Sequence, residues 1–465
     1  MGLRMERARV SLLLSALALT GPPDPARSPA GQLLDQAEAA AAKGQYARAV
    51  ALYKQLAKEY AQTEEGQVGE RRSQKNAFLG WDWLGQTGPS ANRVDVVVMG
   101  EGFRLDQMSD YETLAKMVPR EFPRTEVFEE YGAYFNFVRA AIVSEDDGVD
   151  GSGRDYSTAL GAMSSGGIQG QVTVRRDAVH RMLTELPEHD GYAIVLVKNG
   201  LLGTGGNGIA AVGGRDPKTL IHEWGHAFAN LMDEYSSNTG HRVDVRGGPN
   251  VSFVEDEKQV PWAHWLKEHV SGIGVHEGAN GRAQGAWKPT NNCIMDVGLE
   301  FCPVCREAIV LQIHRSVDPI DEATPEPPAT AEGTIVLSAK TPLREQKPLT
   351  FRVKTLRPKT HTLSATWYVL PEDPARPTTV PRREPDRLAR GPLSKIDAKP
   401  KQVGKANGGV DAFTFEQEHY APGLWRVVVR VEDNARVRGE RTPWVLKDDG
   451  MLLVSERSWW IRIDP

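Results

Sequence analysis

One stretch restricts the possible folds of this chain more than any other. It runs from Leu220 to Tyr235 and reads LIHEWGHAFANLMDEY, with H-E-x-x-H at His222, Glu223 and His226. On a helix, histidines four apart lie about 40° apart around the axis and one turn apart along it, so both imidazoles can reach one ion. Glu223 points close to the same spot and can act as general base on a metal-activated water. Asp216 is a good N-cap, and Pro217 suits the first helical position. Leu220, Ile221, Trp224, Phe228 and Leu231 supply the broad apolar surface of a buried helix. The bland alternative is a core helix with two satisfied histidines.

Catalytic zinc takes three protein ligands plus water, so a third ligand is needed. Asp233 fits best. On an unbroken helix it would lie about 10 Å along the axis from His226, too far to share an ion. The helix must therefore stop first, and Asn230 is the expected stop, because Asn tolerates the left-handed conformation. In the metzincin pattern H-E-x-x-H-x-x-G-x-x-H, the third ligand follows the turn glycine by three residues. Asp233 follows Asn230 by three, although the spacing is one residue longer than the pattern and a carboxylate replaces the imidazole. Glu234 is the competing ligand, and an acidic cap on the next segment is the other reading of Asp233.

The length, 465 residues, calls for two or three domains. A net charge of −5 argues against nucleic acid as a partner, and the basic patches at Arg382-Arg383 and Lys399–Lys401 read as solvated loops. Residues 1–26 read as a signal peptide: Arg4, Arg7 and Arg9 precede the apolar run Val10–Leu19. That run is too short for a permanent transmembrane anchor, and the other reading is an amphipathic helix that stays on the protein. The expected location is secreted, periplasmic or extracellular.

Residues 31–75 read either as a tetratricopeptide-like helical hairpin turning at Gly44-Gln45-Tyr46 or as a helical spacer after the signal, and a single repeat must pack on a neighbour to bury its face. Residues 92–317 form the next domain. Its strands are expected at Val94–Met99, Tyr134–Val143 and Tyr192–Val197, and its helices at Leu105–Met117 and Ala178–Leu186. Gly203–Gly214 formally contains G-x-G-x-x-G, but no helix opens there to receive a pyrophosphate, so a loop with a short edge strand at Ile209–Val212 is expected. Residues 236–292 read as a long irregular functional segment holding His241, His264, His269 and His276. Met295, in Asn292–Asp296, invites comparison with the methionine turn beneath metzincin sites. Cys302 and Cys305 could make half a zinc knuckle or a redox pair, but an exported chain favours a disulfide from Cys293 to one of them. Residues 318–333 read as a Pro-rich linker, and about seven short strands in 334–465 point to an immunoglobulin-like β-sandwich. That module is either a recruitment domain or a stabilising appendage.

Together Val94–Gly102, Tyr134–Gly148, Tyr192–Gly206, His222–Tyr235, His276–Gly278 and Cys293–Glu307 resemble the secreted metallopeptidase family named for immunoglobulin A-cleaving peptidases. The H-E-W-G-H…D-E-Y and C-I-M-D…F-C-P-V-C-R-E-A blocks carry the resemblance most specifically. It implies a metzincin-like, zinc-dependent peptidase, with His222, His226 and Asp233 as Zn²⁺ ligands and Glu223 as general base. The expected architecture is multidomain α/β plus β: an N-terminal helical hairpin, a mixed sheet with an active-site helix, and a C-terminal β-sandwich. The expected function is endopeptidase action on a protein or peptide substrate, with Tyr235 a possible oxyanion contact. The rivals are a non-catalytic secreted binding protein on the same scaffold and a zinc hydrolase of non-peptide amides.

Overall fold

The computed structural model describes residues 27–465 except 152, 165–170, 214, 237–246, 329, 343–344, 346, 376–395, 397, 407–408 and 437–442. The expected signal segment 1–26, His241 and Arg382-Arg383 lie outside the described residues.

At the centre is a six-stranded mixed sheet. Its strands run in the order Ala77–Gly85, Phe135–Val143, Val94–Glu101, Tyr192–Val197, Ile209–Gly213 and Gly203–Gly206. The four inner strands are parallel to their neighbours, and the two outer ones are antiparallel. Val94–Glu101 is buried along its whole length, as a strand covered on both faces must be. Its side chains alternate: Val96 and Val98 enter the core that contains the helix Pro217–Ala229, while Val97 and Met99 enter a second core under the helix Arg176–Leu183.

Two features differ from expectation. Ile209–Gly213 is not an edge strand, because the glycine-rich Gly203–Gly206 pairs along its outer side. The sheet also begins before residue 92, with Ala77–Gly85. That strand lacks a clear alternation because Gly80, Asp82 and Gly85 interrupt it, and its pairing is bulged between Phe78 and Gly80.

Helices Pro29–Ala42, Tyr46–Glu59 and Glu64–Arg72 pack on this added strand. Tyr53 donates a 2.7 Å hydrogen bond to the Leu79 carbonyl, and a Cβ at Gly80 would lie 2.9 Å from that of Ala41. Ala37, Ala40, Ala49 and Tyr53 join the same core as the sheet, so the hairpin buries its apolar face there.

The segment 236–292 is more regular than its composition implies. Among its described residues are the helix Ala263–Lys267 and the antiparallel pair His276–Ala279 and Arg282–Lys288. The glycines there conceal the period that would mark a hairpin.

Beyond residue 317, a three-stranded sheet and a five-stranded sheet share one core. Phe351, Val353, Phe413 and Phe415 come from the first; Trp367, Val427, Val429, Trp459 and Ile461 come from the second. Ile320–Thr324, read as linker, is instead a strand of the first sheet. Arg93 forms a buried ion pair with Asp321 at 2.7 Å, and Arg457 pairs with Asp318, so this segment is a seam between the units. The last strand, Val454–Asp464, runs unbroken for 11 residues.

The seam also holds a buried polar cluster. Asp433 accepts from His314 at 3.0 Å and from His361 at 2.5 Å, and the other His361 ring nitrogen meets Glu130 at 2.7 Å. Burial opposes the charge on His361, but the two carboxylates raise its pKa to about 9. Burial likewise opposes ionisation of Asp433, yet the two histidines hold its carboxyl far below the usual range. Among the described residues, no helix is long and apolar enough to cross a membrane.

Candidate active site

The helix Pro217–Ala229 starts and stops as its sequence dictates. The Asp216 side chain accepts from the backbone N–H groups of Lys218 and Thr219, and Pro217 takes the first position. Asn230 is left-handed at φ 52°, ψ 34°, and the Leu231 N–H returns to the Gly225 carbonyl at 3.3 Å. The chain therefore folds back beside its own last turn. Asn250 holds the returning segment by exchanging two 2.8 Å hydrogen bonds with the Met232 backbone.

This reversal brings Asp233, rather than Glu234, to the two imidazoles. The His222 and His226 Nε2 atoms are 3.1 Å apart, and Asp233 Oδ1 lies 3.1 and 3.0 Å from them. Donors bound tetrahedrally to one zinc at about 2.0–2.1 Å would stand about 3.3 Å apart, so the triangle fits a single ion. The outer ring nitrogens are already engaged: His222 Nδ1 donates to the Ile294 carbonyl at 2.9 Å and His226 Nδ1 to that of Leu231 at 2.6 Å. Those bonds fix the tautomer that leaves each Nε2 lone pair facing the common point. The imidazoles keep some access, at 14% and 11%, whereas the Asp233 side chain is 1% exposed.

Two glycine positions let the sheet approach this turn. A Cβ on Gly203 would lie 2.5 Å from Glu223 Cγ, and one on Gly205 would lie 2.2 Å from the Glu223 carbonyl and 2.8 Å from His226 Cβ. The G-x-G pattern therefore serves close packing of the edge strand on the helix. Gly225 does the same below, where a Cβ would come within 3.1 Å of Met295 Sδ. The fully buried Met295 accepts the Glu234 N–H at its carbonyl, at 2.7 Å. Tyr235 stacks against His222, its ring centroid 6.3 Å away.

The remaining histidines of residues 236–292 that are described stand apart. His264 bonds the buried Glu307 at 2.5 Å, and His276 contacts Asn291. Neither these nor His269 joins the His222–His226–Asp233 group.

The expected disulfide is not formed: Cys293, Cys302 and Cys305 are all free and buried. Instead their sulfurs converge with Glu234, whose Oε1 lies 3.1 Å from Cys305 Sγ and 4.0 Å from Cys302 Sγ. Spacing in the sequence does not reveal this group, because Glu234 reaches it from a segment some sixty residues away.

A family model described as IgA Peptidase M64 matches residues 83–272 and 267–313. The matched region spans the strand Val94–Glu101, the helix Pro217–Ala229, the return segment and all three cysteines. No curated protein matches the chain.

Proposed function

We propose that this chain, which belongs to the IgA Peptidase M64 family, is a secreted zinc endopeptidase with a metzincin-like site. Membership makes it a peptidase, and its substrate class is therefore protein or peptide. The single observation that carries the zinc reading is the triangle of His222, His226 and Asp233 donors, each side 3.0–3.1 Å, with both outer imidazole nitrogens tied to carbonyls. Zinc bound there supplies Lewis-acid activation of water and of the scissile carbonyl. Glu223, one residue from His222 on the same helix, takes the proton from the attacking water and delivers it to the leaving amine. Asn230 and Asn250 position Asp233, and Gly225 admits Met295 beneath the histidines in the place of a methionine turn.

An extended substrate fits the outer side of Gly203–Gly206, in preference to the interior strand Ile209–Gly213. Gly203 and Gly205 lie against Glu223 and His226, and main-chain pairing along an edge gives affinity without requiring one side-chain sequence. The C-terminal sheets form, in this reading, a β-sandwich that braces the catalytic unit through the Arg93–Asp321 and Asp433 contacts.

The test is digestion of a peptide library by the full chain, with and without a chelator, beside Glu223→Gln. Cleavage abolished by both treatments is the expected result. Cleavage that survives the substitution overturns the mechanism, and a metal-loaded protein that cleaves no peptide overturns the endopeptidase reading.

A further inference from the structure

Asp233 and Glu234 are consecutive, yet their side chains serve different clusters. Asp233 faces the imidazoles, and Glu234 faces three sulfurs. We propose that Glu234, Cys293, Cys302 and Cys305 bind a second zinc ion in a closed, structural site. The inference concerns a site separate from the catalytic triangle and does not depend on peptidase activity.

The spacing of the four groups is that of ligands sharing one ion. Cys293 and Cys305 sulfurs lie 3.7 Å apart, and thiolates at about 2.3 Å on a tetrahedral zinc stand about 3.8 Å apart. A sulfur and a carboxylate oxygen on such an ion stand about 3.5 Å apart; Glu234 Oε1 lies at 3.1 and 4.0 Å from two of the sulfurs, on either side of that value. All four ligand atoms lie within 4.8 Å of one another, and all four residues are buried.

The surroundings suit bound thiolates. The Cys302 N–H donates to Cys293 Sγ at 3.4 Å, and Cys302 caps the helix Pro303–Ser316, whose N-terminal end favours negative charge. Glu234 is 0% exposed, and its Oε2 has no hydrogen-bond partner among the described residues. A buried acidic oxygen in that state is costly unless a cation meets it. Three thiolates and one carboxylate select a soft divalent ion, and a full set of four protein ligands leaves no position for catalysis. The Cys302–Cys305 pair thus finds its partners in Cys293 and Glu234 rather than in a second Cys-x-x-Cys.

An ion here joins the return segment at Glu234, the Cys293–Asp296 loop and the start of helix Pro303–Ser316. The first carries Asp233. The second carries the Ile294 carbonyl that orients His222. The second zinc would therefore hold the floor of the catalytic site in place.

The experiment uses the full chain purified from zinc-supplemented cells without added chelator. Zinc-edge absorption spectroscopy is expected to find sulfur neighbours at about 2.3 Å, and metal analysis about two equivalents per chain. Cys302→Ser/Cys305→Ser should lose the sulfur-coordinated equivalent and lower Tm. His222→Ala/His226→Ala should keep that equivalent and lose the nitrogen- and oxygen-coordinated one. Alkylation in denaturant plus chelator, without reductant, should label all three cysteines. Zinc with no sulfur neighbours, or a chain with one alkylatable thiol and the other two joined, overturns the inference. A single equivalent with sulfur neighbours leaves it standing while removing the catalytic zinc reading instead.

Discussion

The two clusters on either side of the Asp233–Glu234 peptide differ in chemistry and in access. The imidazole side uses two nitrogens and one oxygen, with its histidines partly reachable from solvent. The sulfur side uses three thiols and one carboxylate, and every member is buried. A polypeptide turning out of a helix presents successive side chains to opposite sides, so one dipeptide can supply a carboxylate to each. On the proposed reading, the contrast separates a group with room for a reacting water from one that holds structure together.

The sharpest way to break the comparison is to remove function from one side alone. Glu223→Gln should lower kcat/KM by about 10²–10⁴-fold or more with little change in Tm, because it removes a proton acceptor and leaves the ligand triangle intact. Steady-state kinetics beside thermal unfolding checks this, and a variant within tenfold of the parent would remove Glu223 from the role of base. Asp233→Asn should follow, with loss of zinc affinity on the imidazole side and retention on the sulfur side. Metal titration reads that split, and equal loss from both sides would mean that the two clusters are not independent.

A smaller effect tests the packing that positions the triangle. Gly205→Ala places a methyl 2.2 Å from the Glu223 carbonyl. Overpacking of this kind costs about 1–3 kcal/mol, so the urea midpoint should fall and KM should rise as the edge strand shifts. An unchanged midpoint and unchanged kinetics would show that strand and helix are less closely apposed than 2.2 Å implies.

The smallest effect lies far from both clusters, at the seam. The pKa of His361 is raised from 6.5 to about 9. Its stabilising charge is fully present below pH 6.5 and is lost as pH rises through about 9. Asp433 is shifted the opposite way, so its contribution is present above its ordinary value of 3.8 and is lost on acidification. Stability should therefore fall between pH 6.5 and 9 by on the order of 1–3 kcal/mol, and Asp433→Asn should flatten that slope. Denaturant midpoints across this range provide the measurement; a flat profile in the parent would exclude charge at His361 as a contributor.

Local pattern was enough to read the helix at 217–229, its capped start and its left-handed stop, because these depend on side chains within a few residues of one another. It was also enough to read the buried strands Val94–Glu101 and Tyr192–Val197, whose apolar runs Val96–Met99 and Tyr192–Val197 stand out from their surroundings. Strand Ala77–Gly85 escaped notice because glycines and Asp82 break its alternation, and its place is set by pairing with a strand more than fifty residues later. The role of Gly203 and Gly205 was equally hidden: a glycine required by a neighbour looks the same in sequence as a glycine in a phosphate loop.

The residue order alone thus determined that two imidazoles and a carboxylate would share one helical turn, since helical spacing is local. It also ranked Asp233 ahead of Glu234 as the third ligand, from the spacing to Asn230. Which of the two turns toward the histidines, which strand forms the edge, and that three thiols meet Glu234 were decided only by tertiary structure. Those choices depend on where distant segments close against the helix, through contacts such as Asn250 with Met232 and Met295 with Gly225.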